Sequence, residues 1–497
     1  MSNSLNIASL LDLHAITRAK HPAIIWHDRV KSYADLAADV RRQANALMAA
    51  GVRPGDVVGL CLGDTPEHME MLFAIARIGA ITLPMDIRWT PAEIGLLVAH
   101  FRPTVIVTGR DLPDLPTEAR VLMVDDAWRT QLAAMSDDAP LILAEGAPLL
   151  VSLSSGTTGR PTGPLLRHEQ MYARVVSQMA SLGFNAADRF LTATPLYFGG
   201  GRSFSVSQLV MGATLVLHCP PYKPAELVQA VGRHGVTAMF LVPTILRRLL
   251  TLDDEALAPM RGLRQLISSG SPLHLHEREA VRAKVTPNYY EYYASTEGGG
   301  VSILAPADQV DHPASVGRVV FRVEMQLVDD NHTPLASGQV GAVRYRGPGV
   351  ADAFFRDPES SMAAFRDGWF YPGDLGEMDA DGFLSLRGRK KDVIIRGGVN
   401  IYPLEIEQVV TLLPEVMEAC VFPLPHPQLG EEVALAYVLE EGADAADSLA
   451  RIKAHCAANV APYKVPSRYF LLDHFPRNSG GKVLRARVID AVAAMEG

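Results

Sequence analysis

Between Tyr33 and Ser268, short apolar runs alternate with amphipathic segments of helical period, and this alternation constrains the fold more than any single motif. Tyr33 to Ala50 reads as an amphipathic helix, Asp56 to Leu62 as a buried strand, Thr65 to Ile78 as a second helix and Thr104 to Val107 as a strand. Strands are expected again at Thr214 to His218, Ala238 to Val242 and Leu263 to Ser268, with helices at Ala225 to His234 and Ile245 to Leu252. Proline and glycine mark the junctions, as in Gly51-Val52-Arg53-Pro54-Gly55. Buried strands alternating with helices predict α/β layers.

A chain of 497 residues is too long for one core, so two to four folded units are expected. The texture changes after about Asp311, and Gly317 to Gly347 alternates apolar and polar residues as a small β subdomain would. A charged segment, Gly388-Arg389-Lys390-Lys391-Asp392, marks a second change. Beyond it lie an expected helix (Leu404 to Leu413), two strands (Val416 to Pro423 and Val433 to Leu439), a helix (Leu449 to Asn459) and a strand (Arg468 to Leu472). That is enough for a separate α+β domain. The expected organisation is a large N-terminal domain, residues 1–390, of layered α/β subdomains with a small β subdomain, followed by a small α+β C-terminal domain, residues 391–497.

Charge and cysteine content narrow the function. The net charge of −9 is interspersed and no basic face is apparent, which argues against a nucleic-acid partner. Anionic ligands would therefore need local donors. Cys61, Cys219, Cys420 and Cys456 show no metal-site spacing and read as free thiols in a reducing compartment. Residues 1–14 lack the basic-then-apolar order of a signal peptide, and no apolar stretch reaches the roughly 18 residues of a membrane span. The expectation is a cytoplasmic protein.

Five segments carry candidate chemistry. Ser154-Ser155-Gly156-Thr157-Thr158-Gly159-Arg160-Pro161-Thr162-Gly163 follows the apolar run Pro148 to Val151. A strand that empties into a loop rich in glycine and hydroxyls presents backbone N–H groups to phosphate, although such clusters also form plain surface loops. Tyr290-Glu291-Tyr292-Tyr293-Ala294-Ser295-Thr296-Glu297 sets a carboxylate beside a hydroxyl, suited to Mg²⁺, and an aromatic able to stack on a base. Tyr371-Pro372-Gly373-Asp374 places on a turn a carboxylate that either caps it or accepts two ribose hydroxyls. The fourth segment is Gly388 to Asp392 with the following Gly397-Gly398. The fifth is Pro476-Arg477-Asn478-Ser479-Gly480-Gly481-Lys482, a lysine on a glycine turn.

In this order, from near residue 20 to near residue 490, the five segments resemble the adenylate-forming superfamily, which includes acyl-CoA synthetases, adenylation domains and beetle luciferases. Gly341 to Pro358 and Pro462-Tyr463-Lys464-Val465-Pro466 fit as well. The resemblance implies ATP-dependent activation of a carboxylic acid to an acyl-AMP with release of pyrophosphate, then acyl transfer to the thiol of coenzyme A. It assigns Ser154, Ser155, Gly156, Thr157, Thr158, Gly159 and Thr296 to phosphate, Glu297 to Mg²⁺, and Asp374 and Arg389 to ribose. Tyr293 and the Gly270-Ser271-Pro272 turn would hold adenine. Lys482 would bridge the α-phosphate and the acid, Lys391 would be the hinge of a mobile C-terminal domain, and Gly397 and Gly398 would line a pantetheine tunnel. Because the acid is ionised at pH 7, the chemistry requires positioning and electrostatic stabilisation and no general base.

The chain departs from the family where Thr162 replaces a lysine of the phosphate loop, for which Arg160 or Arg167 are candidate substitutes. By the same resemblance the acid pocket involves Phe198, Gly199, Arg202, Phe240, Tyr292 and Gly298. Gly298-Gly299-Gly300 are expected to leave volume for an aromatic, alicyclic or medium-chain acid, and Arg202 lies either buried against a polar group of the substrate or at the surface. A carrier-protein phosphopantetheine is the alternative thiol, and a nucleotide binder without turnover is the reading that Thr162 favours.

Overall fold

The computed structural model describes residues 5–112, 115, 118–153, 161–271, 273–477 and 483–496. The first long helix, Tyr33–Ala49, shows how the local sequence sets an element. Ser32 caps it by accepting from the Asp35 N–H, and Asp35 reciprocates. Its Tyr33, Leu36, Val40, Ala44 and Leu47 recur at helical spacing and are buried.

Two large sheets build the N-terminal part. One has six strands, in the order Arg120–Met123, Val105–Thr108, Val57–Cys61, Ile81–Pro84, Pro148–Val151 and Leu165–Arg167. The other has nine, running from Arg318–Val319 through Gly299–Leu304, Tyr289–Ser295, Gln265–Ser268, Ala238–Leu241, Arg189–Thr192, Thr214–Leu217 and Pro22–Trp26 to Arg29–Ser32. Val57–Cys61, Ala238–Leu241 and Gln265–Ser268 are buried at every residue, as parallel strands covered on both faces require.

The nine-stranded sheet positions the site. Gln265–Ser268 and Tyr289–Ser295 run parallel, with Leu266 opposite Tyr289, so Gly270-Ser271 and Ser295-Thr296-Glu297 emerge at the same sheet edge. Carboxyl ends of parallel strands are where open α/β sheets bind ligands. The chain then reverses into Gly299–Leu304, leaving Glu297 in the turn. A third sheet, built around Val340–Arg346 and Asp374–Met378, is the small β unit expected after Asp311.

After Asp392 the chain forms the expected α+β unit, with Pro403–Val410 against the hairpin Val416–His426 and Gly430–Leu439. The first hairpin strand continues three residues past Pro423, where sequence reading ended it. It is an edge strand, and prolines are tolerated there because no neighbour needs their N–H. The two parts meet where Thr411 Oγ1 lies 3.1 Å from His274 Nδ1.

Candidate active site

Tyr293 lies near the end of its strand, and its hydroxyl donates to Asp374 Oδ2 at 2.5 Å. Arg389 Nε lies 3.0 Å from the other carboxylate oxygen, Oδ1. Asp374 and Arg389 face each other across adjacent antiparallel strands, so sheet register alone brings the pair together. Three segments 81 and 15 residues apart thus converge on one carboxylate. Burial, with the Asp374 charge beside it, holds the Tyr293 phenol well above its ordinary range. Gly270, at φ +100°, and Ser271 follow the neighbouring strand.

The Thr296-Glu297 turn is pinned from behind by a residue the motifs did not single out. Arg174 is 6% exposed and donates through Nε to the Gly349 carbonyl at 2.7 Å and through Nη2 to the Glu297 carbonyl at 2.6 Å. Both terminal nitrogens also lie 3.3 Å from the Thr296 carbonyl. Burial brings the Arg174 pKa down to about 10, which leaves it charged at neutral pH. The sequence carried a signal for it. On the helix His168–Leu182, Arg174 shares the face of Met171, Val175 and Gln178, an arginine on an otherwise buried stripe.

The Glu297 carboxylate has no ion pair among the described residues, and burial raises its pKa, opposed by local hydrogen bonds and by Arg174 and Arg389. A carboxylate so placed fits Mg²⁺, which takes one or two protein carboxylates and completes its shell with phosphate oxygens and water.

Gly298, Gly299 and Gly300 do not leave space for a substrate. A Cβ at Gly298 would overlap the Tyr345 ring, one at Gly299 would come within 2.9 Å of Arg174 Nε, and one at Gly300 would overlap the Tyr292 hydroxyl. The missing side chains admit these three neighbours. Ser295 Oγ accepts from the Gly298 N–H at 2.8 Å and lies 2.6 Å from the Tyr345 hydroxyl, which ties the turn to the third sheet.

On the acid side, Phe240 and Tyr292 are buried and meet Phe204, with ring centroids 5.1 and 5.9 Å apart. Phe198 and Gly199 are partly exposed at the start of the helix Gly199–Met211. Gly200 packs directly on this group, since a Cβ there would come within 2.7 Å of the Phe240 ring. Arg202 is not at the surface. It is 2% exposed, and donates through Nη1 to the Tyr197 carbonyl at 2.5 Å and through Nη2 to Ser152 Oγ at 2.8 Å.

Arg167 is engaged by the Gly146 carbonyl at 2.8 Å and by Asp352 at 3.3 Å. Lys391 is exposed, in the short helical turn Lys390–Asp392. Gly397 and Gly398, with φ of +58° and +82°, form an exposed turn between two strands. Ser154, Ser155, Gly156, Thr157, Thr158, Gly159, Arg160, Pro272 and Lys482 lie outside the described residues. Among the described residues no helix is long and apolar enough to cross a membrane.

The family model of AMP-binding enzymes matches residues 11–355, and that of the AMP-binding enzyme C-terminal domain matches residues 405–482. The chain is 32% identical to indoleacetate–CoA ligase of Aromatoleum aromaticum over 98% of each protein. It is 31% identical to 2-succinylbenzoate–CoA ligase of Geobacillus kaustophilus over 92% of each. Its fold is similar to that of o-succinylbenzoate CoA synthetase from Bacillus subtilis in complex with the acyl-adenylate intermediate, with a TM-score of 0.87 and 26% identity over 96% of this chain and 97% of that one.

Proposed function

The chain belongs to the AMP-binding enzyme family, and from that premise we propose that it activates an aromatic carboxylic acid and that the residues above divide the work. The chain is an acid–thiol ligase: ATP and a carboxylic acid give an acyl-AMP and pyrophosphate, and the acyl group passes to coenzyme A. The observation that carries the assignment of roles is the convergence of Tyr293 and Arg389 on Asp374, with the Arg389 charge also acting on Glu297.

A carboxylate offers about four lone-pair directions, and Tyr293 and Arg389 use two of those on Asp374. The remaining two suit the vicinal hydroxyls of a ribose. With its hydroxyl bound to Asp374, the Tyr293 ring is held in one orientation to take the adenine face. Thr296 contributes a hydroxyl to phosphate. Glu297 would hold Mg²⁺, which when bound offsets the charge of the polyphosphate. Arg174 keeps these side chains in place through their own backbone. Lys482 meets the α-phosphate and the acid in the first step, and rotation of residues 391–497 about Lys391 brings Gly397-Gly398 to the thiol in the second.

The aromatic character of the acid is supported by the Phe204, Phe240 and Tyr292 group, with Phe198 at the rim, and by the aromatic acids in the names of the similar ligases. Acid-dependent pyrophosphate exchange over a panel of arylacetic, benzoic, cinnamic and short aliphatic acids tests this. Exchange is expected to be greatest with an aryl acid and to yield a thioester with free coenzyme A. Highest exchange with acetate or an amino acid would overturn the assignment of the acid. A thioester formed only on a carrier protein would overturn that of the acceptor, and no exchange with any acid would leave a binder without turnover.

A further inference from the structure

Among the described residues four arginines are buried: Arg77, Arg174, Arg202 and Arg278. Two are neutralised by carboxylates. Arg77 meets Asp12 at 2.6 Å, and Arg278 lies 3.5 Å from Glu291. Neither Arg174 nor Arg202 has a carboxylate within 4.0 Å among the described residues, and both belong to the site. Arg174 directs its donors at three carbonyls. The Arg202 fork meets two neutral acceptors, the Tyr197 carbonyl and the Ser152 hydroxyl. Burial and the charge on Arg174 lower its pKa to about 9, so it stays protonated at neutral pH. A buried cation without a counter-charge is costly, and an anion bound nearby would offset that cost.

The place of Arg202 links it to the segment that the family resemblance assigns to phosphate. Ser152 follows the strand Pro148–Val151 and precedes residues 154–160. Its N–H donates to the Pro164 carbonyl at 3.1 Å, and its own carbonyl oxygen lies 2.8 Å from where a Cβ on Gly163 would be. Ser152 therefore touches Arg202 on one side and, on the other, the segment that adjoins the neutral Thr162. At 2% exposed, Arg202 acts through its field and not by contact.

We infer that Arg202 is a positioning residue of the acid-activation step, holding inside the protein the positive charge that Thr162 does not supply beside Gly163-Pro164, and so setting affinity for the anionic nucleotide. The inference rests on the ligase reading above. It treats residue 202 as an electrostatic partner of the nucleotide and not as a selector of the acid.

Pyrophosphate exchange with the best acid of the panel, measured for the full chain, tests it. Arg202→Gln is expected to raise the KM for ATP about tenfold or more with little change in the KM for the acid. Arg202→Lys should recover most of the loss, and adding Thr162→Lys to Arg202→Gln should restore ATP affinity at least in part. If Arg202→Gln moves only the acid KM, or if Lys and Gln at 202 are equally impaired and Thr162→Lys gives no rescue, the inference is overturned. Should thermal melting show that Arg202→Gln does not fold, Thr162→Lys in the native chain decides. A gain in ATP affinity below about threefold supports a site already supplied with charge, and any larger gain overturns it. Absence of acid-dependent exchange in the native chain would instead overturn the ligase reading.

Discussion

At the scale of single residues, the Asp374 carboxylate holds both Tyr293 and Arg389. Replacing it with Asn removes the charge facing Arg389 and puts an N–H₂ where one acceptor oxygen was. Charge-assisted hydrogen bonds contribute about 1.5–3 kcal/mol each, so Asp374→Asn is expected to raise the KM for ATP by at least about tenfold in pyrophosphate exchange. Tyr293→Phe, which leaves the carboxylate and removes only one donor, should cost less, and an equal loss in both variants would speak against a ribose role for Asp374. Tyr293, Glu297 and Asp374 could be singled out as candidates because each sits in a short motif whose residue types suit the proposed chemistry. Arg174 and the burial of Arg202 were not, since neither lies in such a motif and helix packing alone decides which way they face. The glycine run was legible as glycine but not as to what fills it, because Tyr345 and Arg174 come from segments distant in sequence.

At the scale of elements, the charged segment at residue 390 is held at both ends. The Lys390 N–H donates to the Gly373 carbonyl at 2.9 Å, and its Nζ meets Asp330 at 2.6 Å, fixing it to the N-terminal part. Asp392 lies 3.6 Å from Arg485, which is anchored on Glu407 at 2.8 Å within the C-terminal unit. Lys391 lies between these two anchors, and under the proposed function it is the residue that absorbs the rotation. Proline at this position locks φ near −65°, a value the helical turn accepts, and removes that freedom. Lys391→Pro is therefore expected to separate the two half-reactions, with pyrophosphate exchange and thioester formation diverging by at least about tenfold. Equal loss of both would count against a pivot here. Element positions were readable from periodicity where an apolar run matched one buried strand, as at Val57–Cys61, Thr214–Leu217 and Ala238–Leu241. Sheet order was not readable, since Thr214–Leu217 inserts between Arg189–Thr192 and Pro22–Trp26 through contacts far apart in the chain.

At the scale of the whole molecule, two histidines are sealed inside the N-terminal part in neutral form. His168 Nδ1 accepts from the Ile7 N–H at 3.1 Å, and burial brings its pKa from 6.5 to about 4. His68 is likewise lowered to about 4 by burial. The unfolded chain takes up these protons near pH 6.5 and the folded chain does not, so stability is complete above that pH and is lost as the pH falls towards about 4. The loss is on the order of 3 kcal/mol for each histidine. Melting temperature should fall steadily from pH 7 to pH 4.5, and His168→Asn, whose amide oxygen replaces the Nδ1 acceptor, should flatten that slope. An unchanged slope would show that His168 is not a source of the acid sensitivity. The glycines at 298–300 carry a consequence of another kind, for how such a chain diversifies. A single change to alanine there has to displace Tyr345, Arg174 or Tyr292, so these positions are closed to one-step drift. At Gly199 the nearest atom to a new Cβ is Ser152 Oγ at 3.9 Å, which leaves room. Under the proposed function, acceptance of new acids is thus open to stepwise mutation at the rim, while any change behind Glu297 must come in pairs.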